Sequence, residues 1–177
     1  GDVSKVLVTE EEIREICSRL GKQISEDYSG KKLLLVSVLK GAVVFMADLM
    51  REITCDCEID FMAVSSYSGA KTTGVVKFKK DLDVNPDGCD ILLVEDILDS
   101  GITLAYLKKV LMDRNAASIK VCAFLDKPAN RQADISADYV GKVIPDEFVI
   151  GYGLDYNEKY RNLPYVGVLD PKVYSDK

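Results

Sequence analysis

The sequence contains no histidine and no tryptophan among its 177 residues. Without histidine, the chain cannot form a Ser-His-Asp triad, a Cys-His pair or a histidine-bound zinc site. Any proton transfer near neutral pH must therefore use a carboxylate, a lysine, a tyrosine, a cysteine or the substrate itself.

Long hydrophobic runs are also missing. The longest, at residues 33–36 and 42–46, are far shorter than the roughly 20 apolar residues that cross a bilayer. No basic segment followed by an apolar one opens the chain, as a secretory signal requires. We therefore expect no membrane partner and a cytoplasmic location.

Positive charge is scarce. Lys and Arg number 23 against 29 for Asp and Glu, which gives a net charge of −6. A broad nucleic-acid surface needs a basic face, so we expect no nucleic-acid partner. The negative net charge still allows a single anion-binding pocket, because a few hydrogen-bond donors and a metal ion can make one pocket locally positive.

The five cysteines are an odd number, which argues against a disulfide framework. Reduced thiols in a cytosolic core are the simpler interpretation. Cys55 and Cys57 are separated by one residue, but the chain has no second cysteine pair and no histidine to complete a zinc site. We expect no zinc.

The remaining composition, 47% hydrophobic and 29% charged, is that of an ordinary folded protein. The length predicts one domain, spanning residues 1–177. No internal repeat, low-complexity tract or long linker divides the sequence.

Apolar periodicity predicts alternating strands and helices. Thr9 and Glu12 have the spacing of a capping box, and apolar residues at helical spacing follow, which predicts a helix over 10–27. Further helices are expected at 41–53 and 103–114, and strands at 33–39, 58–66, 74–80, 91–95, 118–125, 139–143, 147–151 and 165–169. The repeated strand–helix–strand order indicates an α/β fold with a mostly parallel central sheet.

The most informative segment runs from residue 91 to residue 103. An apolar strand is followed by two adjacent carboxylates, Glu95 and Asp96, and then by a short loop that starts a helix. The loop's backbone N–H groups and the hydroxyls of Ser100 and Thr103 suit a phosphate, and Gly101 permits close backbone approach. The carboxylates would repel a bare phosphate, but they suit sugar hydroxyls or a hydrated Mg²⁺.

This segment has two other interpretations, one as simple helix capping and one as part of a different fold. Ser100 and Thr103 could serve only as helix caps beside solvated carboxylates, but this does not explain two carboxylates directly after a buried strand. A receiver domain also has an acidic first strand. There the acidic pair lies near the start of its domain, whereas here roughly ninety residues precede it and about eighty follow, too few for that fold.

The segment resembles the phosphoribosyl-diphosphate-binding signature of the type I phosphoribosyltransferases. Residues 38–41, 65–67, Lys127 and 148–161 extend the resemblance over nearly the whole chain and indicate the branch that acts on 6-oxopurines such as hypoxanthine and guanine. The resemblance implies the type I fold, with a mostly parallel central sheet flanked by helices. It also implies a small hood formed by the N-terminal part and roughly residues 138–177.

By this resemblance, Glu95 and Asp96 hold the ribose hydroxyls, in part through Mg²⁺. The residues implied around the 5′-phosphate are Asp99, Ser100, Gly101, Ile102 and Thr103. Ser100 stands where the family usually has Thr, which keeps the hydroxyl. Ile102 stands where some members have Lys. A charge is lost there, but the backbone donors remain, so we expect phosphate binding to survive.

The same resemblance makes Asp99 the residue that accepts or donates the proton at N7 of the purine. A carboxylate in this role agrees with a chain that has no histidine. Helix capping is the competing role for an aspartate at this position.

The resemblance also implies a diphosphate site and a lid. The diphosphate contacts are Leu39, Lys40, Gly41 and Arg161, and in the family the peptide bond that corresponds to Leu39–Lys40 can be cis. A simple strand-to-helix turn is the plainer interpretation of Lys40 and Gly41. Ser66 and Tyr67 correspond to the start of a catalytic lid, and the small polar residues after them agree with a segment that closes over substrate and excludes water.

Four residues are implied around the purine. Lys127 donates to O6, which selects against 6-aminopurines because their amino group is also a donor. Phe148 stacks on the base and the backbone of Val149 contacts its edge, although core packing is the usual role of a strand phenylalanine. Asp155 lies beside the base as a second Mg²⁺ ligand.

The implied activity is transfer of the 5-phosphoribosyl group from phosphoribosyl diphosphate to N9 of hypoxanthine or guanine, with Mg²⁺ as cofactor. Xanthine, which also carries O6, is an alternative base. A nucleotide-binding regulator on the same fold is an alternative of another class, and the acidic balance of the chain counts against it. The resemblance further implies a homodimer or homotetramer.

Overall fold

The computed structural model describes residues 1–66 and 75–175. The described helices are α1 (Glu10–Asp27), α2 (Val43–Met50) and α3 (Ile102–Asp113), with short 3₁₀ turns at Pro128–Asn130 and Pro171–Val173. The described strands are β1 (Val3–Val8), β2 (Leu33–Val38), β3 (Cys57–Ser66), β4 (Val76–Lys80), β5 (Asp90–Leu98), β6 (Ser118–Asp126), β7 (Tyr139–Val143), β8 (Val149–Ile150) and β9 (Val166–Leu169).

Six strands form the larger sheet, in the order β4-β3-β2-β5-β6-β7. β4 runs antiparallel to β3, and the other neighbouring pairs are parallel. Clusters of buried apolar side chains cover both faces of this sheet, as parallel sheets require. The predicted α/β architecture with a mostly parallel sheet is confirmed.

A smaller antiparallel sheet, in the order β1-β9-β8, joins the two ends of the chain. Its strands come from the segments assigned to the expected hood, which stays a prediction. β7, however, lies in the larger sheet although its residues fall within the 138–177 segment, because it pairs with β6 through Cys122↔Tyr139 and Leu125↔Lys142. The smaller sheet therefore takes only β8 and β9 from that segment.

Helix α1 begins where the capping box predicts. The Glu12 N–H donates to Thr9 Oγ1 at 3.1 Å, and the Thr9 N–H donates to Glu12 Oε1 at 3.2 Å. Ile16, Leu20 and Ile24 are buried on one face, at the spacing of the apolar pattern. The capping hydrogen bonds thus determine where this helix begins, and the apolar periodicity determines which face is buried.

Three elements differ from the sequence prediction. β1 was not predicted, because its residues are mostly exposed or half-buried and give no clear alternation. α2 is shorter than the predicted 41–53 and has no side-chain cap. β5 continues to Leu98 rather than ending at 95, because Ile97↔Leu125 and Leu98↔Asp126 extend its pairing with β6. The acidic pair therefore lies within a strand and not after its end.

No helix within the described ranges is both long and apolar enough to span a membrane.

Candidate active site

The candidate site lies at the carboxyl edge of the larger sheet. β2, β5 and β6 are parallel neighbours, so their carboxyl ends meet at one edge. Residues 39–41 follow β2, residues 99–103 follow β5, and Lys127 follows β6. In open α/β sheets this edge is where ligands bind.

The acidic pair on β5 is half-buried at this edge. Glu95 Oε1 is buried and has no hydrogen-bond partner among the described residues. Burial raises the pKa of Glu95 well above its usual range, and the neighbouring charge of Asp96 raises it further. Burial also raises the pKa of Asp96, against the opposing effects of the Ile97 N–H and the Arg161 charge. A buried carboxylate oxygen without a donor is suited to a cation or a hydroxyl group.

The loop after β5 forms the N-terminus of α3. Gly101 has φ 79°, in the left-handed region, and as the N-cap residue it offers no side-chain cap, so the N–H groups of the first turn have no partner within the helix. A Cβ on Gly101 would lie 2.5 Å from Ile135 Cγ2, so both backbone and packing favour glycine. The Ile102 N–H donates to Ser100 Oγ at 3.4 Å.

A cleft of about 160 Å³ opens beside this loop. Its polar lining comes from Glu95, Asp99, Ser100, Gly101 and Thr103. The acidic strand and the helix N-terminus therefore face one space, which combines acceptors for hydroxyls with donors for an anion. Ile102 does not line this cleft.

Asp99 lies between this cleft and a second one, because its side chain lines both. Asp99 Oδ1 accepts a hydrogen bond from the Asn130 side-chain amide. Asp99 Oδ2 lies 3.8 Å from Lys127 Nζ, and Asp146 Oδ1 lies 3.7 Å from the same nitrogen. The buried Lys127 amine thus has a carboxylate on each side.

The second cleft has a volume of about 300 Å³ and brings together three of the four residues expected around the base, Lys127, Phe148 and Val149, whereas Asp155 does not line it. It is lined by Ile97, Asp99, Lys127, Asp146, Glu147, Phe148, Val149 and Leu154. Phe148 is 38% exposed, so it is not a core residue in this structure. Its ring lies 5.7 Å from that of Tyr156 and 5.0 Å from that of Tyr174, and its exposed part offers aromatic area to a planar ligand.

The expected diphosphate residues meet between the two sheets. The Leu39–Lys40 peptide bond is cis. A Cβ on Gly41 would collide with Asp96 Oδ2, and it would lie 3.1 Å from the Gly153 carbonyl oxygen and 3.3 Å from Arg161 Nη1. Asp96 and Arg161 therefore occupy the space that a side chain at residue 41 would need.

Arg161 is held by its own segment. Its Nη1 donates to the Gly153 carbonyl at 2.7 Å, and its Nη2 donates to Glu158 Oε2 at 3.0 Å. Its Nε is buried without a partner among the described residues. Lys40 Nζ lies 2.8 Å from Glu158 Oε1, so the two cations share one carboxylate. Such a pair of donors suits an anion larger than a carboxylate.

The predicted metal ligands and lid stay predictions. Asp155 Oδ1 lies 3.6 Å from Arg161 Nη2, and the Asp155 charge contributes to the raised pKa of Asp96. Within residues 1–66 and 75–175, no cluster of three potential metal ligands exists. Ser66 ends β3, and Tyr67 lies outside the described residues, so the expected lid is not described.

Sequence reasoning missed three groups at the site. Asn130 and Asp146 contact Asp99 and Lys127, but no local pattern distinguishes either from an ordinary loop residue. Tyr174 reaches Phe148 from near the end of the chain, a separation that periodicity cannot detect. Only the fold of the chain places these side chains at the site.

The five cysteines are all free. Burial raises the pKa of the Cys17 thiol to about 11 and also raises the pKa of Cys57. The Cys17 and Cys57 thiols are therefore protonated near neutral pH, which makes them poor nucleophiles.

Comparison with known proteins identifies the family. A family model described as the phosphoribosyl transferase domain matches residues 6–157. The hypoxanthine-guanine phosphoribosyltransferase of Staphylococcus aureus is 52% identical over 99% of this chain and 98% of its own length. A crystal structure of a hypoxanthine phosphoribosyltransferase from the same organism has a TM-score of 0.95 at 52% identity and covers 98% of this chain and 95% of that one.

A longer relative is also similar. The bifunctional protein TilS/HprT of Listeria monocytogenes is 51% identical over 99% of this chain, but the match spans only 27% of that protein. The near-complete match with the Staphylococcus aureus enzyme and the common type I architecture lead to one assignment. The chain belongs to the phosphoribosyltransferase family, in its hypoxanthine-guanine branch.

Proposed function

We propose that this chain is a purine-salvage enzyme that transfers the 5-phosphoribosyl group from phosphoribosyl diphosphate to N9 of hypoxanthine or guanine. The products are inosine or guanosine monophosphate and diphosphate. One observation carries the proposal: the two clefts at the sheet edge meet at Asp99, with an acidic strand and a helix N-terminus on one side and a buried lysine and an aromatic ring on the other.

The sugar phosphate is proposed to lie in the cleft beside β5. The N–H groups at the start of α3 and the hydroxyls of Ser100 and Thr103 bind the 5′-phosphate there. Glu95 and Asp96 accept hydrogen bonds from the ribose hydroxyls, which supplies the donor that the buried Glu95 oxygen lacks. Residues 39–41 and Arg161 then bind the diphosphate on the opposite side.

The base is proposed to lie in the cleft between Lys127 and Phe148. Lys127 donates to O6 of a 6-oxopurine, and Phe148 presents its exposed face to the ring. A 6-aminopurine would place a second donor against Lys127 and leave the buried amine unsatisfied. The expected selectivity is therefore for hypoxanthine and guanine over adenine.

The reaction forms the N9–C1′ bond and breaks the bond between C1′ and the diphosphate oxygen, which leaves with the electron pair. Positive charge builds on the sugar ring, next to the carboxylates of β5. Asp99 takes the proton from N7 of the base as N9 attacks, since it lines both clefts. Fixing both substrates at one sheet edge contributes much of the remaining acceleration.

The residues present fit a Mg²⁺ ion. Glu95, Asp96 and Asp155 supply hard oxygen donors, and Mg²⁺ is commonly bound by one or two carboxylates together with substrate phosphates. If bound there together with the substrate, the ion would supply positive charge that offsets the charge of the departing diphosphate.

The direct test is an assay of the purified protein with phosphoribosyl diphosphate, Mg²⁺ and hypoxanthine. We expect inosine monophosphate and diphosphate to form in equal amounts, and a failure to form either would reject the proposal. Competition among hypoxanthine, guanine, xanthine and adenine then determines base preference. Xanthine is the alternative preferred base, because it also carries O6.

Two further proposals concern the protein in its cell. We place it in the cytoplasm, where its phosphorylated substrate is made and its thiols stay reduced. We also propose a homodimer or homotetramer, because the enzymes it resembles usually assemble so. Sedimentation of the purified chain at several concentrations tests the assembly, and a monomer at all of them would reject it.

A further inference from the structure

The Asp99 carboxylate is held from one side. Its Oδ1 accepts a hydrogen bond from the side-chain amide of Asn130, while its Oδ2 lies 3.8 Å from Lys127 Nζ. Asp99 lines both clefts and Asn130 lines neither. The two oxygens of Asp99 are therefore distinct: one is bonded within the protein, and the other lies on the side of the base cleft.

Asn130 is itself fixed by its surroundings. It ends the 3₁₀ turn Pro128–Asn130, and its N–H donates to the Lys127 carbonyl at 3.2 Å. The next residue, Arg131, donates from Nε to the Asp99 carbonyl oxygen at 3.1 Å and also pairs with Asp126. Backbone hydrogen bonds and the Arg131 side chain thus fix the segment that carries Asn130 against the segment that carries Asp99.

A free carboxylate rotates about its Cβ–Cγ bond, and this rotation interchanges its two oxygens. The Asn130 hydrogen bond opposes that rotation. Without this hydrogen bond, only the charge of Lys127 would orient the Asp99 carboxylate, and Lys127 is also the residue proposed to bind the base. A carboxylate that rotates freely keeps neither oxygen fixed toward the base cleft, and proton transfer requires a fixed alignment with N7.

We infer that Asn130 is a positioning residue, which holds the Asp99 carboxylate so that one oxygen faces N7 of the bound purine. Asn130 does not touch substrate in this arrangement and acts only through Asp99. The inference rests on the proposed function, because the orientation of Asp99 matters only if Asp99 accepts the proton from N7.

The test compares two substitutions. Asn130→Ala removes the donor, and Asn130→Asp keeps the size of the side chain but places an acceptor against Asp99. We expect kcat to fall about tenfold for Asn130→Ala, as for loss of one hydrogen bond to a charged group, and at least as far for Asn130→Asp. The KM values for both substrates should stay within about twofold, since orientation of the proton acceptor affects the chemical step.

A double-substitution cycle separates positioning from a merely structural role. In the Asp99→Asn background, a further Asn130→Ala change should lower kcat by less than about twofold, because the group on which Asn130 acts is already gone. Gln132→Ala removes an exposed amide from the same loop and serves as the control, with kcat unchanged. Thermal unfolding of each variant shows whether it is folded, and the isosteric Asn130→Asp keeps the test valid if Asn130→Ala is unstable.

The inference is overturned if Asn130→Asp retains the kcat of the wild type, or if the effect of Asn130→Ala is equally large with and without Asp99. Failure of the proposed function is a different result. It would appear as absence of nucleotide formation by the wild-type chain itself.

Discussion

At the scale of single residues, Gly41 leaves no room for a side chain. The space that a Cβ would need at this position is taken by the Asp96 carboxylate, with the Gly153 carbonyl oxygen 3.1 Å away. We predict that Gly41→Ala raises the KM for phosphoribosyl diphosphate at least about tenfold, because displacing Asp96 disturbs the contacts with sugar and metal. Steady-state kinetics with hypoxanthine in excess measures this change.

The control for that prediction is Gly30→Ala. Gly30 has a positive φ of 77°, which Gly41 does not share, and nothing lies within 4 Å of its added Cβ. This variant should lose about 1 kcal/mol of stability from backbone strain and keep its KM. Equal kinetic effects of the two substitutions would contradict the steric explanation for Gly41.

Asp99 gives the second prediction at this scale. Asp99→Asn keeps the shape of the side chain but removes its capacity to accept the N7 proton, so we predict that kcat falls at least about a hundredfold. Binding of phosphoribosyl diphosphate, measured by titration calorimetry, should change little because the backbone donors of the loop are unaffected. An unchanged kcat would remove Asp99 from its catalytic role.

At the scale of elements, an ion pair connects the end of β4 to the end of α3. Arg114 Nη1 and Nη2 each donate to one oxygen of Asp81 at 2.8 Å. This bidentate contact is the main reason that the pKa of Asp81 is lowered, and it raises the pKa of Arg114. Because 43% of the Asp81 side chain is exposed, solvent weakens the pair, and we expect its contribution to be below about 1 kcal/mol.

The pH dependence of this pair follows from the lowered pKa of Asp81. A lowered pKa in the folded state stabilises the fold at pH values above the unfolded pKa of about 4, and this contribution is lost as the pH falls through the folded value. We predict that Asp81→Asn is less stable than the wild type at neutral pH and that the difference shrinks in acid. Urea unfolding at several pH values measures it, with the exposed Asp134→Asn as control. A difference that persists at the lowest pH would contradict the assignment.

At the scale of the whole molecule, the proposed substrate site joins loops that follow three different strands and a segment next to the smaller sheet. A ligand that binds all of them stabilises the folded state by about 2.7 kcal/mol at one hundred times its Kd. For a chain of this length, we predict that phosphoribosyl diphosphate with Mg²⁺ raises Tm by roughly 5 to 10 °C.

Removal of the metal tests the same prediction. With a chelator present, the shift caused by phosphoribosyl diphosphate should largely disappear, while the Tm of the protein alone stays constant. Ribose 5-phosphate, which lacks the diphosphate, should give a smaller shift that the chelator does not affect. A full shift without metal would contradict the proposed role of the β5 carboxylates.

The sequence by itself determined the parts of this protein that depend on local pattern. The capping box and apolar spacing locate α1, and the charge-free apolar runs locate β2 and most of β5. The acidic pair and the loop after it indicated the ligand chemistry, because their residue types are consecutive in the chain. Local periodicity carries this information directly.

Only the tertiary structure decided which distant groups meet. Pairing with β6 extends β5 past the acidic pair, and the packing of the 3₁₀ turn places Asn130 against Asp99. β1, with its weak pattern, becomes a strand because it pairs with β9. Such contacts depend on free energy gained between segments far apart in sequence, which no local window contains.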